Sequence, residues 1–252
     1  MQNVKRKILV VGNISSGKST FLNSILHTDI LPTSNLACTA KEIKIIVKNK
    51  NKTYISYLNQ KRKYLKDDGN CIMKDLNENG EKNQITIIGP SVFKHLDGCE
   101  IYDSPGINNS MDTNHKAITL KSLKKKKIDR VIFLMNAENL FTTDDKETLE
   151  SIIAINPKLK DKIYIVINKM DKIKLTGEST NKEIKEKCVK FLKNLEIEKK
   201  PSEIYLFSAL YFTLERKEQK SRSETRLLSL LEDIYSKREI KEMHKIRKKI
   251  LL

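Results

Sequence analysis

The 252-residue chain has no tryptophan and only 8 glycines, so neither an aromatic-rich binding module nor a low-complexity chain is indicated. Its four cysteines, Cys38, Cys71, Cys99 and Cys188, are scattered, with no CxxC pair and no histidine at ligand spacing. They read as reduced, partly buried thiols rather than as a metal site. No run approaches the roughly 18 apolar residues that a membrane-spanning helix needs. Residues Met1 to Lys7 run straight into a strand and leave no room for a secretory leader, so the chain is expected to be cytoplasmic.

Hydrophobic residues make up 38% and charged residues 32%, an ordinary balance for a chain long enough to bury the core of one large α/β domain, with or without an appendage. The net charge of +17 is the one unusual bulk property. It fits attraction to phosphate-rich surfaces, either nucleic acid or anionic lipid. It fits equally a lysine-rich composition spread over every exposed face, and lysine does occur in loops and helices alike.

Short β-type runs alternate with helical stretches. Strands are expected at Lys7–Val11, Ile43–Val47, Tyr54–Leu58, Ile85–Ile88, Glu100–Tyr102, Arg130–Met135, Lys162–Ile167 and Glu203–Phe207. Helices are expected at about Ser19–Leu26, Asn114–Lys125, Asp144–Ile155, Ser179–Leu195 and Thr225–Leu252. The runs at Ile8, Val131 and Ile163 are almost continuously Val, Ile and Leu, as parallel strands covered on both faces require. The pattern predicts an α/β fold: a doubly wound, mostly parallel sheet flanked by helices, with its ligand crevice at the carboxyl ends of the strands. Lys48–Asn83 is polar and turn-rich, and reads as edge strands with long exposed loops.

The first strand feeds Gly12-Asn13-Ile14-Ser15-Ser16-Gly17-Lys18-Ser19, a complete GxxxxGKS P-loop opening a helix near Thr20. Gly12 and Gly17 allow backbone angles and close approaches that a side chain would block. Backbone N–H groups from about Ser15 to Thr20 can then converge on phosphates at the helix N-terminus. Lys18 supplies charge to the outer phosphates and the Ser19 hydroxyl is placed to ligate Mg²⁺. The strand at Glu100–Tyr102 ends in Asp103-Ser104-Pro105-Gly106. Asp103 can hold the metal and the Gly106 N–H can meet the γ-phosphate, although an S-P-G turn alone would look the same. Thr39 lies in a polar loop 20 residues after Ser19, a suitable place for a hydroxyl that completes the metal shell.

A P-loop fits ATPases as well as GTPases, so base specificity must come from elsewhere. The strand at Tyr164–Ile167 ends in Asn168-Lys169-Met170-Asp171. The Asp171 carboxylate can accept from N1–H and the 2-amino group of guanine, whereas adenine would leave it unpaired, a discrimination on the order of 10⁴. Lys169 would lie along the base and ribose, and Asn168 would tie this loop to the P-loop. In a chain this rich in Asn and Lys the string alone is weak; its place after a buried strand is what gives it force. The last strand gives Ser208-Ala209, where a backbone N–H can meet the guanine O6.

This ordered set resembles the translation-factor-related GTPases and, more closely, the dynamin-like large GTPases, bacterial ones especially. The resemblance rests on Gly12–Leu26, Ile30–Ala40, Asp103–Asn109, His115, the Thr143-Asp144 step and the long interval from Thr39 to Asp103. It covers about residues 5–215 and implies a dynamin-type G domain there, with a helical C-terminal segment over 216–252 that reads as the start of a helical bundle. The positions carried over are Ser15, Ser16, Lys18, Ser19, Thr39, Asp103, Gly106, Asn168, Lys169 and Asp171. The nucleotide would be held by Asn13, Ser15, Ser16, Gly17, Lys18, Ser19, Thr20, Gly106, Asn168, Lys169, Asp171, Ser208 and Ala209. Mg²⁺ would be held by Ser19, Thr39 and Asp103.

The resemblance further implies GTP as substrate, a homodimer across the nucleotide faces or a dynamin-like partner, and a place peripheral to an anionic membrane. One position departs. Ile14 stands where eukaryotic dynamins carry a glutamine that helps to position water, and isoleucine cannot orient water by hydrogen bonding. Hydrolysis would then rely on Lys18, on backbone near Thr39 and Gly106, on Ser15 with a monovalent cation, or on a partner. The tail from Leu227 to Ile250 carries apolar residues at mostly helical spacing, one amphipathic helix that packs on the domain or, as a lesser reading, lies on a membrane. Two other functions stay open: a ribosome- or nucleic-acid-linked GTPase, disfavoured by the lack of an RNA-binding module after Ala209, and a module that binds nucleotide with little turnover.

Overall fold

A computed structural model describes residues 6–31, 33, 42–49, 54–57, 60–63, 84–89, 96–105, 114–177, 179–217 and 220–251. The strands are β1 (Arg6–Gly12), β2 (Ile43–Asn49), β3 (Tyr54–Tyr57), β4 (Gln60–Lys63), β5 (Gln84–Gly89), β6 (Cys99–Asp103), β7 (Arg130–Asn136), β8 (Ile163–Asn168) and β9 (Ile204–Leu206). They form one sheet in the order β4-β3-β5-β2-β6-β1-β7-β8-β9. From β6 to β9 every pairing is parallel. Beyond β6 the sheet turns mixed: β2 runs antiparallel to β6 but parallel to β5, and β3 and β4 extend the edge as an antiparallel pair. The mostly parallel α/β architecture expected from the sequence is the one observed.

The Val/Ile/Leu runs explain the centre. Ile8 to Val11 of β1 and Val131 to Met135 of β7 are buried on both faces, which only strands covered by helices on either side can be. The helices are α1 (Lys18–Leu26), α2 (Asn114–Lys125), α3 (Thr143–Ile155), α4 (Met170–Thr176), α5 (Asn181–Lys193), α6 (Ala209–Arg216), α7 (Arg222–Ile234) and α8 (Lys237–Leu251). Phe21 of α1, Phe207 beyond β9 and Phe212 of α6 form an aromatic stack that joins the first and last thirds of the chain.

Four elements differ from the sequence reading. β4 is polar throughout and carries no apolar alternation, so the period-2 signal is missing there. The short helices α4 and α6 fall below the length at which helical periodicity shows. The tail is two helices rather than one, broken at Tyr235 and Ser236. Ser236 starts α8 by accepting from the Glu239 N–H (3.2 Å), while its own N–H donates to the Glu239 carboxylate (2.8 Å), a capping box that the S-x-x-E spacing spells out.

The tail packs onto the domain through Leu231, Tyr235, Met243 and Ile246, all buried in the common core. Glu239 also takes the Lys174 ammonium of α4 at 2.6 Å, and the Asn181 amide at the head of α5. Burial opposes ionisation of Glu239, but Lys174 and the Ser236 cap outweigh it and hold the carboxyl at about 2, below the ordinary 4.5. A depressed carboxylate stabilises the fold above its unfolded pKa and loses that contribution as pH falls through the folded one. Glu239→Gln is therefore expected to cost about 1 kcal/mol at pH 6, after allowance for screening. In thermal unfolding the gap to the unmodified protein should close as pH is lowered from about 4.5 towards 2.

Candidate functional site

β1 delivers the P-loop to the carboxyl edge of the sheet, and both of its glycines are sterically required. A Cβ on Gly12 would stand 2.4 Å from the Leu134 carbonyl of β7, and one on Gly17, at φ +81°, 2.6 Å from the Asn168 amide. Ser15 also adopts a positive φ, 62°, so the loop stores backbone strain at a residue that is not glycine. The turn closes by Ser16 N–H donating to the Asn13 carbonyl (3.2 Å) and Phe21 N–H to the Gly17 carbonyl (2.8 Å).

Lys18 is buried, and its Nζ donates to the carbonyls of Gly12 (2.8 Å) and Asn13 (3.0 Å). Burial pulls its pKa down; the Asp103 carboxylate works against that shift. Asp103 ends β6, in register with Val10 of β1, and is 1% exposed. Burial pushes its pKa up, with Lys18 opposing. Both Asp103 carboxylate oxygens, the Ser16 hydroxyl and the Ser104 hydroxyl are buried without a hydrogen-bond partner among the described residues. A buried polar group with no partner costs about 1–3 kcal/mol, so this cluster is unfavourable for folding alone. A buried carboxylate with open oxygens beside hydroxyls and an ammonium fits a hard cation and phosphate oxygens. Ser19 and Thr20 open α1 half-buried beside them. Thr39 and Gly106 lie outside the described residues.

On the other side of β1, Asn168 ends β8 with both ends of its amide engaged. Its Nδ2 donates to the Ser16 carbonyl (3.0 Å) and its Oδ1 accepts from the Ala209 N–H (3.0 Å). The expected tie between this loop and the P-loop is thus a direct bond. Lys169 caps α4 in the left-handed region at φ 63°, with its ammonium 3.3 Å from Glu138 at the rim. Asp171 follows in the first turn of α4, 3% exposed, and its Oδ1 accepts from the Ser208 hydroxyl at 2.6 Å. Ser208 in turn accepts from the Tyr211 N–H (3.2 Å) as the cap of α6.

The structure adds residues that the sequence reading missed. The Asn13 amide donates to Asp145 (2.8 Å) and to Thr142 (3.3 Å), which form the capping box of α3. The T-x-x-D spacing marks that cap in the sequence; nothing in the sequence says that it reaches the P-loop. Ser208 was read for its neighbour's backbone, yet its hydroxyl is what holds the Asp171 carboxylate.

Comparison with known proteins places the chain in a family. The model of the dynamin family matches residues 8–171. Mitofusin FZO1 of Saccharomyces cerevisiae is 25% identical over 217 residues, covering 69% of this chain and 23% of the yeast protein. A bacterial dynamin-like protein of Nostoc punctiforme is 27% identical over 163 residues, 58% of this chain and 22% of that one. The chain thus spans less than a quarter of the length of these two relatives. A solved bacterial dynamin pair, described as oligomerised and as providing a mechanism for long-range sensing and tethering of membranes, superposes with a TM-score of 0.56. The superposition is at 22% identity over 96% of this chain and 36% of that one, and so speaks for the fold. The family match runs from β1 through the P-loop and Asp103 to the Asn168–Asp171 turn, and the chain belongs to the dynamin family, whose G domains bind and hydrolyse GTP.

Proposed function

We propose that this chain binds GTP with Mg²⁺ at the carboxyl edge of its sheet and hydrolyses it to GDP and phosphate. The observation that carries the reading is the buried Asp103 beside Lys18, a carboxylate with both oxygens unpartnered among the described residues, set beside a loop that Asn168 staples to the Asp171 and Ser208 turn. The N–H groups of Ser15 to Thr20 would cradle the phosphates at the head of α1, with Lys18 on the outer ones. Ser19, Asp103 and Thr39 would hold Mg²⁺, which supplies charge neutralisation on the β- and γ-phosphates. The Gly106 N–H would meet the γ-phosphate. Asp171 would read N1–H and the 2-amino group of guanine, Lys169 would cover the base, and the Ala209 backbone would lie near O6. Residues 1–215 form the G domain in this reading, and 216–252 a helical extension.

Water still has to be oriented, and Ile14 offers no hydrogen-bonding group for it. Ser15, exposed at the rim, and a monovalent cation or a second G domain facing this one would complete the catalytic set. Turnover per molecule is therefore expected to be slow in dilute protein and to rise with protein concentration at fixed, saturating GTP. A specific activity that stays flat from nanomolar to micromolar protein would count against the dimer.

Base recognition gives the sharper test. In Asp171→Asn the side chain still accepts from Ser208, but one guanine-facing acceptor becomes a donor. GTP affinity should fall by on the order of 10²–10³, and xanthosine triphosphate, with an acceptor in place of the 2-amino group, should gain. Titration calorimetry with both nucleotides decides it; unchanged GTP affinity would remove Asp171 from the site.

A further inference from the structure

Several capping boxes start helices among the described residues, and the box of α3 has the most deeply buried acid of them. Thr180 with Glu183, and Ser221 with Glu224, sit at the surface with exposed or half-exposed acids, as a local helix start requires. Asp145, at the equivalent place in the box of α3, is 1% exposed. Its two oxygens are divided. Oδ2 accepts from the Thr142 N–H (3.1 Å) and closes the box, while Oδ1 accepts from the Asn13 amide of the P-loop (2.8 Å). No cation pairs with it among the described residues. Behind it the Cys188 thiol is raised to about 12, first by burial and then by the Asp145 charge.

A helix cap alone does not need a buried, unneutralised carboxylate. What the burial achieves is a link across 132 residues of sequence to the second position of the P-loop. Asn13 passes the constraint on, because its carbonyl accepts from both the Ser16 N–H (3.2 Å) and Lys18 Nζ (3.0 Å), spanning the strained Ser15. The same β7–α3 segment carries Glu138, which meets Lys169 at 3.3 Å, so one connection touches both the phosphate loop and the base loop.

We propose that Asp145 is a positioning residue of the phosphate site: by holding the Asn13 side chain it fixes the path of the P-loop before nucleotide arrives. The proposal rests on the GTP reading above. A loop held in its binding shape gives up less freedom on binding, so the effect should appear as affinity.

The test compares Asp145→Asn, Asn13→Ala, the double variant and the surface-cap control Glu183→Ala, by N-methylanthraniloyl-GDP binding and by thermal unfolding. In Asp145→Asn one of the two acceptors becomes a donor, so the contact with Asn13 persists only if the Asn13 amide turns over and offers its oxygen in place of its nitrogen. We expect Asp145→Asn and Asn13→Ala each to weaken GDP binding roughly tenfold, the worth of one well-formed bond. The double variant should be no weaker than the weaker-binding single one, because both remove the same link. Glu183→Ala should lower the melting temperature and leave GDP affinity unchanged. If Asp145→Asn and Asn13→Ala both lower only the melting temperature, Asp145 is a cap and nothing more; if the two affinity losses multiply in the double variant, the residues act independently and the link is overturned. In either case the GTP reading stands untouched. Should Asp145→Asn fail to fold, Asn13→Ala decides alone: unaltered affinity there overturns the link. Absence of GDP uptake by the unmodified protein would overturn both readings together.

Discussion

The geometry of the site depends on one buried amide. Asn168 donates to the Ser16 carbonyl at 3.0 Å and accepts from the Ala209 N–H at 3.0 Å, while its own carbonyl takes the Ala137 N–H at 2.9 Å. Three connections, after β1, β7 and β9, are thereby fixed to the end of β8. Their contact also dictates a residue far away in sequence: position 17 must be glycine because a Cβ there would stand 2.6 Å from the Asn168 amide. An apolar residue at 168 would leave a buried carbonyl and a buried N–H unpaired, each costing about 1–3 kcal/mol. The phosphate loop and the base loop are therefore one rigid unit rather than two neighbours.

Against that rigid frame the polar cluster around Asp103 runs the other way. Lys18 and Asp103 are buried charges whose pKa values burial drives towards neutrality, and each is only partly rescued by the other. Ser16 and Ser104 add two buried hydroxyls without partners among the described residues. Apolar side chains of similar volume would serve the fold better. A fold that keeps such groups while β1 and β7 beside them are filled with apolar side chains is giving up stability at one place for a reason outside folding.

Much of this was legible in the sequence, and what was not has identifiable physical causes. The strands at Ile8, Val131 and Ile163 announced themselves because burial on both faces forces near-continuous apolar runs. The P-loop and the Asn168–Asp171 turn were readable because close backbone approach and a buried carboxylate leave little choice of residue type. The Asn13–Asp145 bond was not readable, since a surface-type cap and a buried one share the same T-x-x-D letters, and only the tertiary fold tells them apart. β4 escaped for want of apolar residues. The break at Tyr235 could have been seen: Ser236 and Glu239 spell a helix start, which the continuing apolar spacing masked.

That break also bears on the positive charge. A helix that lies in a membrane surface must keep its apolar face free to enter it. In α8 that face is occupied, since Met243 and Ile246 are buried in the common core and Ile240 packs against it. His244 meets the Phe212 ring edge-on with centroids 4.9 Å apart, and pairs with Glu215 at 3.2 Å. Among the described side chains α8 leaves Lys237, Arg238, Lys241 and Lys245 outside, together with Glu242, which pairs with Arg238 at 3.3 Å. With Ile240, Met243 and Ile246 committed to the domain, this part of the helix can offer an anionic surface only charge. Such an attraction is long in reach, weak per contact and screened within about 8 Å at physiological salt. Insertion through α8 would first require the helix to leave the core that Tyr235 and Leu231 anchor.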